Sequence, residues 1–253
     1  MRKWPDYWEE AEKGNYQAVI SAVNLESGAW QAEDYLRPIL LGDMYLADGQ
    51  FAEAARNFSL SQEMIEQTPM KGKMLLSESL GAALWLSGRK SDALGHWQRK
   101  VEAVRRRTIT YVEISGGIKV GLLMYYGAVS LKEQTILLDA KKFLAKAGQR
   151  SVAERMPGPL AKVVLNMESF ESVLRNTLGY NDFETCLSVS RDDILLSREL
   201  ASVLLCLGTY SLEAGNELEA SNWFGKIVEL KNRLLEPEWY LVKREHDLRS
   251  HMG

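Results

Sequence analysis

Six prolines, three histidines and two cysteines in 253 residues leave little material for several classes of protein. Cys186 and Cys206 are too few for a disulfide framework, and their spacing fits no zinc or redox motif; both are read as buried, reduced thiols. His96, His246 and His251 have no metal-ligand partner at a useful helical spacing, so no metal or other cofactor is expected. With 46% hydrophobic and 26% charged residues, a packed core is expected and long disordered linkers are not. A dominant charge sign is also missing. The 31 basic and 34 acidic residues leave a net charge of −3, which gives no global attraction to nucleic acid or to an anionic membrane. The basic run Arg105 to Arg107 lacks interleaved aromatics and is read as the positive end of a helix.

Long hydrophobic runs are absent too. The most apolar stretch, Val120 to Leu131, has about twelve residues where about twenty are needed to cross a bilayer, so it is expected to be a buried helix. The opening MRKWPDYWEEAE places acids where a secretory leader needs an apolar core, and a cytoplasmic chain without an export signal is expected.

What the chain does contain is an internal repeat. Leu41, Gly42, Tyr45, Gly49, Phe51, Ala54 and Phe58 form a Leu-Gly-x-x-Tyr-x-x-x-Gly-x-Phe-x-x-Ala-x-x-x-Phe frame. Shifted by 39 residues it returns as Leu80, Gly81, Leu84, Gly88, Lys90, Ala93 and Trp97. Shifted by 166 it returns as Leu207, Gly208, Ser211, Gly215, Glu217, Ala220 and Phe224. A half-copy at Gly14, Tyr16, Val19 and Val23 opens the chain. The first glycine and the alanine allow two helices to cross closely. The second glycine ends the first helix in a left-handed conformation that is cheap only without a Cβ. The closing aromatic is expected to fill the seam against the next pair.

This frame resembles the tetratricopeptide signature. The resemblance implies an all-α fold, a right-handed α-solenoid of antiparallel helix pairs, organised as one domain over residues 1–253. Clearer repeats are expected at about 35–68, 74–107 and 201–234, degenerate ones at 3–27 and 115–180, and a polar capping helix at 237–249. The step of 39 residues exceeds the family's roughly 34, which places a longer loop around Thr68 to Gly72, with Pro69 after the preceding helix. Leu84 and Ser211 replace the aromatic of the first helix, so those copies are eroded. From Arg105 to Asp193 the frame is lost. There Val120 to Leu131 and Leu137 to Ala147 are expected to pair, and Thr108 to Ile114 is a candidate extended linker before Gly116 and Gly117. Met156-Pro157-Gly158-Pro159-Leu160 predicts a proline-initiated helix through Leu174. It is similar to the Trp-Pro-Gly-Pro helix of bacterial tetratricopeptide adaptors, with Met156 in place of the tryptophan. Helices are expected at Ile194 to Ala214, Leu218 to Leu235 and Trp239 to Arg249.

Catalytic motifs are sparse. Ser115-Gly116-Gly117 with Gly121 is glycine-rich but lacks the pattern of a phosphate-binding loop, and is read as a helix boundary. Asp192 and Asp193 precede an apolar run, as an N-cap and first-turn charge would. No catalytic residue is assigned. In the tetratricopeptide family the first helix of each pair lines a concave groove whose non-signature positions select a partner. Carried over residue by residue, the resemblance puts Asp43, Glu78, Trp85, Thr209 and Glu213 in that groove. Three acids and an aromatic anchor there would suit a basic peptide or the basic face of a folded protein. The expected function is therefore a non-enzymatic protein-binding module, in its sharper form an immunity protein that neutralises a bacterial toxin. The alternatives are a small-ligand regulator or enzyme with a pocket within Gly116 to Leu174, and a secretion chaperone.

Overall fold

The structure, a computed structural model, describes residues 4–26, 34–69, 76–106, 118–154, 159–190, 193–230 and 239–243. Its regular elements are all helical, with no strand among the described residues. The chain divides into two compact units, residues 1–96 and 97–253.

The first unit holds α1 (Trp4–Glu12), α2 (Tyr16–Leu25), α3 (Leu36–Ala47), α4 (Phe51–Glu66), α5 (Ser77–Leu86) and the start of α6 (Lys90–Arg106), inside which the boundary falls. Successive helices from α1 to α5 pack on one another. The second unit holds α7 (Lys119–Leu131), α8 (Gln134–Glu154), α9 (Pro159–Val164), α10 (Phe170–Val173) continued by a π turn over Leu174–Leu178, α11 (Phe183–Ser190), α12 (Ile194–Glu213) and α13 (Glu217–Glu229). Here α7 pairs with α8 and α12 with α13, and α12 also packs on α7, α9 and α11.

One turn recurs along the chain. Gly14, Gly49, Gly88 and Gly215 all have φ between 78° and 89°. The amide after each donates to a carbonyl five residues back: Asn15 to Glu10, Gln50 to Tyr45, Arg89 to Leu84 and Asn216 to Ser211. That bond satisfies a carbonyl the helix end would otherwise leave open and reverses the chain within three residues. The turn between α7 and α8 is the same, with Glu133 N–H on the Ala128 carbonyl at 2.9 Å, but its left-handed residue is Lys132 at φ 59°. A lysine in this slot hides the repeat from a search for glycine.

The other glycine of the frame carries the helix crossing. A Cβ on Gly42 would come within 2.6 Å of the Phe58 ring, and one on Gly121 within 2.7 Å of Phe143. Gly208 stands in the same relation to Phe224. The closing aromatic therefore lies over the glycine of its own hairpin, a contact the seam assignment did not include. Phe224 also meets Tyr126 of α7 edge-on, with centroids 6.0 Å apart, so it packs on a hairpin earlier in the chain, not on the next pair. The lock spans 16 residues in Gly42/Phe58 and Gly208/Phe224 but 22 in Gly121/Phe143, which is why the frame vanishes from the middle of the sequence.

Two other expectations need correction. The predicted helix through Leu174 is broken: α9 stops at Val164, Asn166 adopts φ 54°, and the Ser169 side chain caps a new helix by accepting from Ser172 N–H. Arg105 does more than end a helix, because its guanidinium donates to both carboxylate oxygens of Asp139 on α8, at 2.7 and 3.1 Å. Asp193 caps α12 as expected, accepting from Leu196 N–H. Within the polar cap predicted at 237–249, residues 239–243 are helical and Tyr240, Leu241 and Val242 are buried. Thr108 to Gly117, Met156 to Gly158, Asp192 and the remainder of that cap lie outside the described residues. No described helix is long and apolar enough to cross a membrane.

The lock predicts the effect of adding a single methyl. Alanine at Gly208 gains up to about 1 kcal/mol of helix propensity, but its methyl strikes the ring of Phe224, a residue only 6% exposed, and something must shift. We expect Gly208→Ala to cost about 1–3 kcal/mol net in urea unfolding, and Gly208→Ala with Phe224→Leu to cost less than the sum of the two changes.

Candidate functional site

Residues 206, 210 and 213 of α12 lie about one turn apart and share a face. Cys206 is buried at the lower end of this face, and burial pushes its thiol up to about 12. Thr209, beside it, is 1% exposed and turns its hydroxyl inward to donate to the Leu205 carbonyl at 2.7 Å. Tyr210 leans on Tyr125 of α7, with centroids 5.3 Å apart and planes at 59°. Tyr125 is fully buried, so its hydroxyl must find a partner, and it donates to Glu213 Oε2. Lys141 of α8 donates to the other oxygen, Oε1, at 2.5 Å, with its ammonium 5.9 Å from the Tyr125 ring centroid. Three helices thus converge on one carboxylate.

Burial alone would raise the Glu213 pKa, but the hydrogen bonds from Lys141 and Tyr125 and the lysine charge outweigh it and hold the carboxyl below its ordinary range. Tyr125 is displaced upward, by burial first and then by its bond to Glu213. Burial, followed by the charges of Cys206 and Glu213, carries Tyr210 up to about 12. Each group is thus displaced away from neutral pH. At pH 7 the cluster holds an ionised carboxylate and protonated phenols, and what reaches solvent is part of Tyr210, a residue 37% exposed, beside the Glu213–Lys141 pair.

The five residues expected in a groove divide between the two units. Glu78 and Trp85 share α5, Asp43 is on α3, and Thr209 and Glu213 share α12. Asp43 and Glu78 are half-buried. Trp85 is 2% exposed, with the Lys90 ammonium 4.8 Å from its ring centroid. Neither Trp85 nor Thr209 is therefore a surface anchor; both are core side chains, and the expectation for them is corrected. Glu213 alone of the five enters the α12 cluster. Tyr125, Lys141 and Tyr210 were missed. The two tyrosines embedded in the apolar run around residues 120–131 carried a usable signal, since a buried phenol requires an acceptor. Lys141, 72 residues from Glu213, gave none.

A second cluster joins Phe170, Phe183 and Trp223 edge-to-face, with centroids 5.5–6.3 Å apart. Lys226 covers Phe183 at 4.5 Å and pairs with Glu184 at 2.6 Å, so the chain supplies its own cation there. Among the described residues no three His, Cys, Asp or Glu side chains are grouped to hold a metal ion. Compared with protein-family models, curated proteins and solved structures, the chain matches none.

Two outcomes are expected. Because the Glu213 pKa is lowered on folding, its contribution to stability is present above the unfolded carboxyl value and lost as pH falls through the folded one. The urea midpoint of the native chain should exceed that of Glu213→Gln near neutrality and approach it as the pH falls below the ordinary carboxyl range. Trp85→Ala should cost about 3–5 kcal/mol in the same assay, as a core truncation does, where a surface anchor would cost little.

Proposed function

We propose that this chain is a non-enzymatic, tetratricopeptide-type protein: a right-handed superhelix of antiparallel pairs that grips a partner protein and transforms nothing. The observation that carries this reading is the repeated closure. The same left-handed turn follows α1, α3, α5, α7 and α12, and a glycine lies under a phenylalanine ring in three hairpins. Such units bury their shared faces by stacking and leave extended outer surfaces whose natural use is recognition.

The chemistry of the α12 cluster supports the same reading. A general acid or base works best with a pKa near the working pH, and here Tyr125 and Tyr210 are displaced upward and Glu213 downward. Those shifts suit a fixed, charged recognition surface. The first unit carries 14 acidic and 9 basic residues, a net −5, so it attracts a basic partner. In its most specific form the partner is a basic toxin and the chain is the immunity protein that covers it.

Capture from the source cells with the tagged chain, read by quantitative mass spectrometry, tests this. The expected result is one basic protein in about equimolar amount, retained at least about tenfold less tightly by the variant carrying Glu78→Lys and Glu213→Lys, with helical circular dichroism unchanged. Turnover of a substrate by the pure chain, or capture of no protein, would overturn the proposal; unchanged affinity in that variant would place the binding surface elsewhere on the chain.

A further inference from the structure

We infer that Tyr210 and Glu213 form a seat for an arginine side chain of the partner, and that Lys141 is the chain's own placeholder in it. This rests on the partner-binding reading and names the group that would be recognised.

The geometry already contains a bound cation. Lys141 gives Glu213 the charge-assisted hydrogen bond that an incoming side chain would give, and it does so beside the Tyr125 ring, against which Tyr210 packs. Its side chain is 42% exposed, so it can leave without disturbing the core. The carboxylate would not collapse when it leaves, because the buried Tyr125 hydroxyl holds the other oxygen from beneath. Two oxygens offer about four acceptor positions, and two donors now occupy them. Exchanging one cation for another also leaves the charge of the site unchanged, which spares the cost of covering an unpaired carboxylate.

Arginine is preferred over lysine for a physical reason. A second ammonium could only repeat what Lys141 does. A guanidinium can place two parallel N–H groups on a carboxylate while its plane lies on an aromatic ring, and Tyr210 is a partly exposed aromatic residue one turn from Glu213. The Tyr125 ring behind Tyr210 braces it, so little side-chain freedom is left to lose on binding. In the second aromatic cluster the lysine sits closer over its ring, at 4.5 Å from the Phe183 centroid against 5.9 Å for Lys141 and Tyr125.

The test uses the full chain and three short peptides, acetyl-Gly-X-Gly-amide with X as arginine, lysine or citrulline, followed by amide shifts in two-dimensional NMR. The arginine peptide should shift residues around Tyr210 and Glu213 and bind more tightly than the other two. Lys141→Ala should tighten it by roughly threefold, the factor gained when a surface ion pair no longer has to be broken. Glu213→Gln should abolish the shifts. Equal binding of the citrulline peptide by the unmodified chain, shifts elsewhere, or unchanged or weaker binding by Lys141→Ala would overturn the inference; the first two require no variant to fold. A captured partner that tolerates Tyr210→Ala and Glu213→Gln would sink the seat and leave the partner-binding reading standing. Absence of any captured protein would count against that reading, while the peptide titration still decides the seat.

Discussion

The fold depends on the close approach of a phenyl ring to a backbone that carries no side chain. At Gly42, Gly121 and Gly208 the ring of Phe58, Phe143 or Phe224 occupies the volume in which a Cβ would stand. That approach sets how near the two helices of a hairpin come, and with it where every other side chain of the pair must point. Interior packing tolerates little change in volume, so a contact of this kind is more restrictive than the many aliphatic contacts around it. The alanines that follow, Ala54 and Ala220, are fully buried and keep the second helix equally close.

Much of this was legible in the sequence, because the residues that determine it are defined by what they lack. A glycine that must be left-handed and a glycine that must be small stand at fixed distances from one aromatic, and those distances survive in three copies. The α7–α8 pair escaped for two physical reasons. Its lock is six residues longer, and its turn uses Lys132, which adopts a left-handed conformation at some cost in strain. The sequence frame depends on register, whereas the three-dimensional lock depends only on which side chains meet. The break after α9 was missed because the apolar pattern continues through it, while Asn166 and Ser169 supply a stop and a restart of the kind that composition obscures.

The candidate site was less legible. Glu213 was placed by its position in the repeat, but its meaning comes from Tyr125 and Lys141, which approach from two other helices. Trp85 and Thr209 were assigned to the surface by the same positional logic and are buried. A repeat position states which face of an ideal helix pair a residue occupies. It does not state what the neighbouring helices cover, and the second unit departs most from the ideal, with α9 and α11 packed on α12 besides its hairpin partner.

The Tyr125–Glu213 bond joins residues 88 apart in the chain, whereas Tyr7 and Glu26 in the first unit are separated by 19 and Gln17 and Asp48 by 31. Closing a longer loop sacrifices more chain entropy before any contact rewards it. The two units therefore differ in how they are assembled: residues 1–96 can zip up from nearest neighbours as they emerge in synthesis, while α7 must wait for α12. During that interval the part of α7 that α8 does not cover stands open, so the second unit is the part of the molecule most exposed to misassembly and most dependent on timely synthesis of α12.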